Sequence, residues 1–496
     1  MANAKTLLEV DREFFTLMAH AASCNPFSDE YVELIGRLAG RENLSAQEQL
    51  RLLVERVTDR VHKLEITGGT DVRQYAEPDR AMLTNALLFD VYHRLVPRMD
   101  QLILDQIDAG ESPVTVKFAG EALALIRRCG FTATEAARYF AIFYQIRRAY
   151  FFIDRGLIGV SPCMKELRRQ LWNSVFTHDI RWYDRYLWNR MEDFSTLLLG
   201  ETGCGKGTAA AAIGRSGFIP FDEKKGCFAE SFTRSFIALN LSQFPETLIE
   251  SELFGHRKGA FTGAVEGHEG VFARCSPHGA IFLDEIGDVS IPMQIKLLQV
   301  LQERTFTPVG SHEKQRFHGR VIAATNKPIA QLRASGQFRD DFYYRLCSQV
   351  IVVPPLRQRI AEDPSELDQL LVSVVERLTG QASDNAVEMV RNAILKTLGK
   401  DYAWPGNVRE LEQAVRSILL TRQYAGDHRG VATDLRSQLL AGVESGSLDA
   451  DALLAGYCRL LYERHGTIEE VARRTNLDRR TVKAYLEKQT ARRPCV

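Results

Sequence analysis

No stretch of the 496 residues approaches the roughly 18 to 20 uncharged apolar positions that a membrane-spanning helix needs. The opening MANAKTLLEVDREFF carries acidic residues and lacks a long apolar core, so no signal peptide is expected. Net charge is missing as well, since 63 Lys and Arg balance 63 Asp and Glu. That excludes a global basic field and confines any nucleic-acid contact to a local patch. The nine cysteines stand singly, with no C-x-x-C pair and no Cys/His cluster at zinc spacing. They read as reduced thiols used for packing, and the chain is expected in the cytoplasm. What remains is ordinary: 45% apolar and 25% charged residues argue against wholesale disorder. At this length two to four domains are expected.

The texture changes along the chain. Residues 1–155 read as helical: Leu50, Leu53, Val54, Val57, Val61 and Leu64 fall at helical spacing. A second amphipathic run, LLFDVYHRLVPRMDQLILDQI, is expected to kink or split at Pro97. In TATEAARYFAIFYQIRRAYFFI, Thr132 and Glu135 stand at capping-box spacing. The aromatics of that helix are core, or they form a ligand or subunit surface. From residue 156 to 355, short apolar runs ending in small or polar residues (TLLLG, FIALNLS, GAIFLDEIG, RVIAATNK) alternate with helical segments. This pattern predicts a parallel sheet with functional groups at the strand C-termini. Residues 356–424 form a smaller helical segment, 425–450 a linker rich in Gly, Ser and Asp, and 451–496 a compact helical unit.

After the strand-like FSTLLL comes GETGCGKGT, which fits the phosphate-loop pattern at Gly200 and Gly205-Lys206. Such a loop turns backbone N–H groups and a helix N-terminus toward phosphate oxygens, and Lys206 would reach the β- and γ-phosphates. The pattern fails one place later: Gly207 stands where the magnesium-binding hydroxyl is expected, and Thr208 follows it. About 80 residues downstream the run GAIFLDEIGD ends in Asp284-Glu285. ATP hydrolysis needs such a pair, one carboxylate for the hydrated Mg2+ and one to polarise water. With Asp284 orienting the metal's water shell, a hydroxyl directly after the lysine matters less.

The string ELFGHRKGAFTGA, with the intact hexapeptide Gly259-Ala260-Phe261-Thr262-Gly263-Ala264, resembles the surface loop of the sigma-54-dependent transcriptional activators, or bacterial enhancer-binding proteins. These are AAA+ ATPases. The resemblance runs from about Leu157 to Tyr424 and onto the C-terminal unit. It implies a sigma-54 contact through the hexapeptide and an adenine frame at Ile158 and Gly159. It also implies a phosphate loop over Gly200, Glu201, Thr202, Gly203, Cys204, Gly205, Lys206, Gly207 and Thr208. The family usually carries Glu after the lysine, so Gly207 departs even from the family pattern. Asn240 matches the asparagine that couples the γ-phosphate to loop movement through the Walker B glutamate, here Glu285. Thr325-Asn326 matches the sensor in the strand, Arg409 in WPGNVREL the sensor in the helical lid, and Arg339 and Arg345 the arginine fingers. Two segments, near 176–194 and 214–235, are longer and more aromatic than the family norm. Cys204 sits where helix-end N–H groups and Lys206 would lower its pKa and make it redox- or alkylation-sensitive, but a neutral replacement of a small residue accounts for it better.

The tail LLYERHGTIEEVARRTNLDRRTVKAYLEK reads as helix, turn, helix. Ile468, Val471 and Ala472 share one apolar face, Val482, Tyr485 and Leu486 the next, and Asp478 caps a helix exposing Arg479, Arg480, Thr481 and Lys483. That is the logic of a helix-turn-helix, whose second helix enters the major groove. From 451 to 496, ten Lys and Arg face six Asp and Glu. This end resembles the factor-for-inversion-type DNA-binding domain. The first 150 residues lack a receiver's acidic pair, phosphoacceptor aspartate and lysine, so a helical regulatory domain of another kind is expected there.

Taken together, these features imply a multidomain protein: a helical front end, an α/β AAA+ core with helical lid, and an all-α DNA-binding end. The implied function is an ATP-hydrolysing, hexameric activator that uses ATP and Mg2+, binds upstream DNA and remodels sigma-54 RNA polymerase. Two rivals stand beside it: a DNA-binding regulator or scaffold whose ATPase is dead at Gly207, and a protein-remodelling AAA+ chaperone.

Overall fold

The computed structural model describes residues 5–41, 43–426 and 448–488, with isolated positions between 427 and 447. The expected linker therefore lies mostly outside the described residues. These residues fall into two compact units, the first running to Arg422 and the second carrying the C-terminal helices.

Six helices fill the front of the first unit: α1 (Glu9–Ser23), α2 (Asp29–Ala39), α3 (Ala46–Ile66), α4 (Asp79–Ala109), α5 (Ala119–Arg128) and α6 (Ala133–Asp154). The helical spacing in α3 buries Leu53, Val57 and Val61, and Ser45 with Glu48 closes a capping box at its start. Thr132 and Glu135 close a second such box on α6. Pro97 neither ends nor splits α4, which runs 31 residues through it. Leu95, Met99, Leu102 and Ile103 are buried on both sides of the proline. Their packing offsets the roughly 3 kcal/mol that an interior proline costs.

The aromatic side chains of α6 are core, and much of what they pack against lies far along the chain. The segment after residue 214 forms a hairpin of β2 (Phe221–Asp222) and β3 (Cys227–Phe228). Phe228 stacks on Tyr144 at 4.2 Å, and Phe221 meets the edge of Phe140 at 5.0 Å. Ile219, Phe221, Phe228 and Phe232 all belong to the core of the front helices. Burying each contributes about 1.5–3 kcal/mol. The other long segment holds the short helix α8 (Ile180–Trp182), after α7 (Pro162–Phe176). It buries Tyr183, whose hydroxyl donates to Gln145 Oε1 at 2.8 Å. Both long segments thus bind the helical front end to the α/β core.

That core is a five-stranded parallel sheet in the order β4-β5-β8-β1-β9, built from β1 (Thr196–Leu199), β4 (Phe236–Asn240), β5 (Ala280–Asp284), β8 (Arg320–Thr325) and β9 (Gln349–Val352). A separate hairpin pairs β6 (Thr305–Phe306) with β7 (Gln315–Arg316). Helix α9 (Lys206–Gly214) follows β1; its Ala209, Ala210, Ala212 and Ile213 are buried, so small side chains let it lie close on the sheet. The remaining core helices are α10 (Glu246–Phe254), α11 (Val271–Arg274), α12 (Ile291–Glu303), α13 (Ile329–Ala334) and α14 (Asp340–Leu346). The lid comprises α15 (Leu356–Glu362), α16 (Ser365–Thr379), α17 (Asp384–Leu398) and α18 (Asn407–Thr421). No helix among the described residues is long and apolar enough to cross a membrane.

The second unit contains three helices, Ala450–His465, Ile468–Thr475 and Arg479–Lys488. Cys458, Leu461, Val471 and Val482 form its small core, with Ile468, Ala472, Tyr485 and Leu486 packed around them.

Candidate nucleotide site and its loops

The C-terminal ends of β1, β4 and β5 converge on a cavity of about 540 Å³. This is where open parallel sheets place their ligands. Thr202 to Thr208 line one wall, Asn240, Asp284 and Glu285 another, and Ile158 with the lid residues Arg377, Arg409 and Glu412 the remainder. The loop's glycines have separate tasks. Gly203 and Gly205 adopt φ of 80° and 110°, a region that side chains disfavour. A Cβ at Gly207 would meet nothing within 4 Å. Lys206 is buried, and its ammonium donates to the carbonyls of Gly200 (2.9 Å) and Glu201 (3.1 Å). The cavity therefore offers a bare backbone concavity at the start of α9 with a cation inside it, the shape and charge a triphosphate requires.

Asp284 and Glu285 are half-buried at the end of β5. Glu285 adopts φ 57° and ψ 45°. A non-glycine residue rarely holds this conformation, which re-aims its carboxylate off the strand. Glu285 Oε2 lies 3.4 Å from the Asn326 main-chain N–H, and the Asn326 amide donates to Thr202 Oγ1 at 2.8 Å. The end of β8 is thereby tied to both the carboxylate pair and the phosphate loop. Asn240 pairs in register with Asp284 across the β4–β5 ladder, but its side chain does not engage Glu285. Its Oδ1 accepts from the Ser242 N–H and hydroxyl, capping the turn that follows β4. Thr325 is fully buried, and its hydroxyl accepts from the Lys327 N–H.

Gly159, Gly200, Glu201 and Asn326 stand behind the cavity wall rather than on it. Gly159, at φ 136°, packs so tightly on Glu366 and Arg359 that any Cβ would collide with both. Glu366 accepts from the N–H groups of Val160 and Ser161 at 2.9 and 2.8 Å and pairs with Arg359, both side chains being buried. The Arg359 guanidinium also donates to the Ile158 carbonyl. Glu201 is clasped by Arg357 and by the Asn407 amide, which donates to the Thr202 carbonyl as well. These lid residues were not legible in the sequence. An Arg-x-Arg in a lid helix and a distant glutamate carry no pattern of their own, and Asn407 shows only as a helix start. At Cys204 burial raises the thiol pKa, outweighing the opposing influence of Lys206, so the environment does not activate the thiol. It packs beneath Gly200 as a small apolar residue.

Arg339 and Arg345 do not line this cavity. Arg339 pairs with Asp341 at 2.7 Å, and the exposed Arg345 donates through Nε to the Leu301 carbonyl at 2.9 Å. The hexapeptide lies on the excursion between β4 and β5. Gly259 N–H donates to the Ala264 carbonyl at 2.8 Å and Ala264 N–H to that of Phe261 at 3.0 Å, closing a tight loop. Phe261 is 40% exposed with one edge against His256, and Thr262 is exposed. Beside the loop stands the β6–β7 hairpin: Arg257 N–H donates to the Val309 carbonyl, and the Arg257 side chain pairs with Glu313.

In the second unit, Asp478 caps the third helix, accepting from the Arg480 and Thr481 N–H groups and from the Thr481 hydroxyl at 2.6 Å. That hydroxyl is committed to the cap, and Arg479 pairs with Glu469 at 3.3 Å. Arg480 and Lys483 share the same exposed helix.

The fold and the site define a AAA+ core with its lid. Residues 184–352 match the sigma-54 interaction domain, and residues 362–447 match the AAA+ ATPase lid domain. The chain is 33% identical over 347 residues to the transcriptional regulatory protein ZraR of Salmonella typhimurium, covering 67% of this chain and 68% of that protein. It is 38% identical over 283 residues to the sigma54-dependent transcriptional activator SfnR of Pseudomonas putida, covering 56% and 71%. Against the Nif-specific regulatory protein of Azotobacter vinelandii the identity is 37% over 286 residues, covering 56% of this chain and 46% of that protein. The chain belongs to the family of sigma-54-dependent transcriptional activators.

Proposed function

We propose that this chain is a cytoplasmic ATPase that assembles into a homo-oligomeric ring, a hexamer, and uses hydrolysis to remodel the closed complex of sigma-54 RNA polymerase. It would bind upstream DNA through Arg479, Arg480 and Lys483, with Thr481 holding the start of that helix. ATP would lie with its phosphates over Gly203 to Thr208, its base near Ile158 and its γ-phosphate near Asp284 and Glu285. The exposed glycine backbone and the free space beside Gly207 fit those phosphates. Mg2+, held by Asp284 together with the phosphates, would supply charge neutralisation. Lys206 neutralises phosphate charge, Glu285 accepts a proton from the attacking water, and Arg409 from the lid closes over the site. Arg339 and Arg345 are assigned to the site of a neighbouring subunit.

One observation carries the reading. The exposed Phe261-Thr262 tip sits on the single excursion that joins the strand ending in Asn240 to the strand ending in Asp284-Glu285. A change at the γ-phosphate would therefore reach the tip along one continuous segment of chain. The test is Thr262→Ala in the full chain. Hydrolysis should stay within about twofold of the parent, since no nucleotide group is touched, while open-complex formation at a sigma-54 promoter should be lost. Normal activation by this variant would remove the assignment of the tip to sigma-54.

A further inference from the structure

Outside the nucleotide site, one cluster in the helical front end gathers the donor types of a metal centre. His20 lies on the last full turn of α1, Cys24 caps that helix, and Glu30 lies in the first turn of α2. His20 and Cys24 are four residues apart and so share a helix face. The tight turn of residues 24–28 folds Glu30 back onto them. A ring nitrogen of His20, the sulfur of Cys24 and a carboxylate oxygen of Glu30 all lie within 4.8 Å of one another, and His20 Nε2 is 3.0 Å from Glu30 Oε1. Zinc–ligand bonds of 2.0–2.3 Å place tetrahedral donors roughly 3.5 Å apart, a spacing these side chains reach by small rotations. The sequence hides the cluster, because H-x-x-x-C alone is not a zinc pattern and its third member comes from the next helix.

We propose that His20, Cys24 and Glu30 form a three-ligand site for a divalent transition metal of the zinc class. A thiolate, an imidazole and a carboxylate are borderline-soft donors, which favours Zn2+ or Co2+ over Mg2+ or Ca2+. The negative end of α1 adds to the attraction for a cation. The side chains of His20 and Glu30 are 49% and 60% exposed, so the cluster is open to solvent. The site is thus accessible to exchangeable metal.

Its placement gives occupancy a consequence. The turn that a metal would clamp is also where the front end docks on α7. Asn25 Nδ2 donates to the Arg169 carbonyl (2.9 Å) and to Asn173 Oδ1 (2.8 Å). Phe27 stacks on Tyr150 with ring centroids 5.6 Å apart and meets the edge of Trp172. One turn earlier, α7 presents Met164 and Leu167 to the nucleotide cavity. Metal at the α1–α2 turn would order the outer half of a helix whose inner half frames that cavity. The metal site itself is independent of the proposed function, and only this consequence rests on it.

The test is a Co2+ titration of the metal-free, reduced full-length protein. We expect one equivalent to bind with a thiolate-to-metal charge-transfer band that Zn2+ abolishes by displacement. Cys24→Ser should lose the band. His20→Ala and Glu30→Gln should weaken binding by about tenfold or more; Glu30 is exposed enough that its substitution leaves the fold intact. No band in the parent protein, or an undiminished band in Cys24→Ser, overturns the site. Hydrogen exchange then tests the coupling: Zn2+ should slow exchange in residues 24–28 and in α7, and unchanged exchange in α7 would overturn the link to the nucleotide cavity.

Discussion

The Arg148 guanidinium donates to the main-chain carbonyl of Arg215 at 2.6 Å, and its other terminal nitrogen donates to that of Gly217 at 2.7 Å. Arg148 belongs to α6 of the helical front end, and Arg215 is the C-cap of α9, whose N-terminus is the phosphate loop. Beside it, Gln145 donates to the Ser216 carbonyl at 2.9 Å. A buried cation thus sits at the negative end of the phosphate-loop helix, where unpaired carbonyls need donors. Burial lowers the arginine's pKa to about 10, so it stays charged at neutral pH.

Replacing Arg148 by Met keeps the packing volume and removes the donors. The carbonyls of Arg215 and Gly217 then lose charge-assisted partners at a part-buried position. A loss of about 3 kcal/mol is expected, read as a lower denaturant midpoint for the first unit. An unchanged midpoint would show that these carbonyls find other donors.

Gly207 tests the inactive-ATPase alternative. A side chain there meets open space, and glycine inside a helix costs about 1 kcal/mol relative to alanine. Gly207→Ser should be slightly more stable than the parent and should hydrolyse ATP at least as fast. If the parent is inert and Gly207→Ser restores phosphate release, the glycine has silenced the site.

Glu285→Gln keeps the size and the Asn326 contact while removing the proton acceptor. ATP should bind within a few-fold of the parent affinity, and steady-state phosphate release should fall by at least about 10². Full turnover by this variant would assign water activation to another group.

Arg345 offers a test of sharing between subunits. Among the described residues its side chain hydrogen-bonds the Leu301 carbonyl, a part-buried bond worth about 1–3 kcal/mol of stability, whereas an arginine finger contributes on the order of 10³–10⁵ in rate. An Arg345→Ala subunit and a Lys206→Ala subunit, each nearly inactive alone, should recover hydrolysis when mixed. Mixed rings that form without recovering activity would leave Arg345 a structural residue.

Much of the site was legible because its residues answer to local rules. The phosphate loop shows as glycine spacing, Asp284-Glu285 as acids closing an apolar run, and Asp478 as a cap followed by a helix. The rest depends on contacts that no local pattern records. Glu366, Arg359 and Asn407 reach the nucleotide segment from some 200 residues away. The split expected as one outcome at Pro97 does not occur, because propensity is local and the packing that outweighs it is not. The aromatics of 214–235 read as an oddity in an ATPase because their partners lie in α6.

Inserting β2–β3 into the helical core makes the front end and the ATPase one folding unit instead of beads on a string. Without residues 5–155, Ile219, Phe221, Phe228 and Phe232 would face water, so a cut at the apparent boundary creates a sticky surface rather than a free-standing engine. The same shared core couples ligand energies: nucleotide at 100 times its dissociation constant adds about 2.7 kcal/mol to the stability of the whole unit, front helices included. By reciprocity, a ligand of those helices that favours one conformation of the unit changes nucleotide affinity by the same factor that nucleotide changes its own. The front helices and the α/β core thus share one compact unit, and a stability change in either is felt by both.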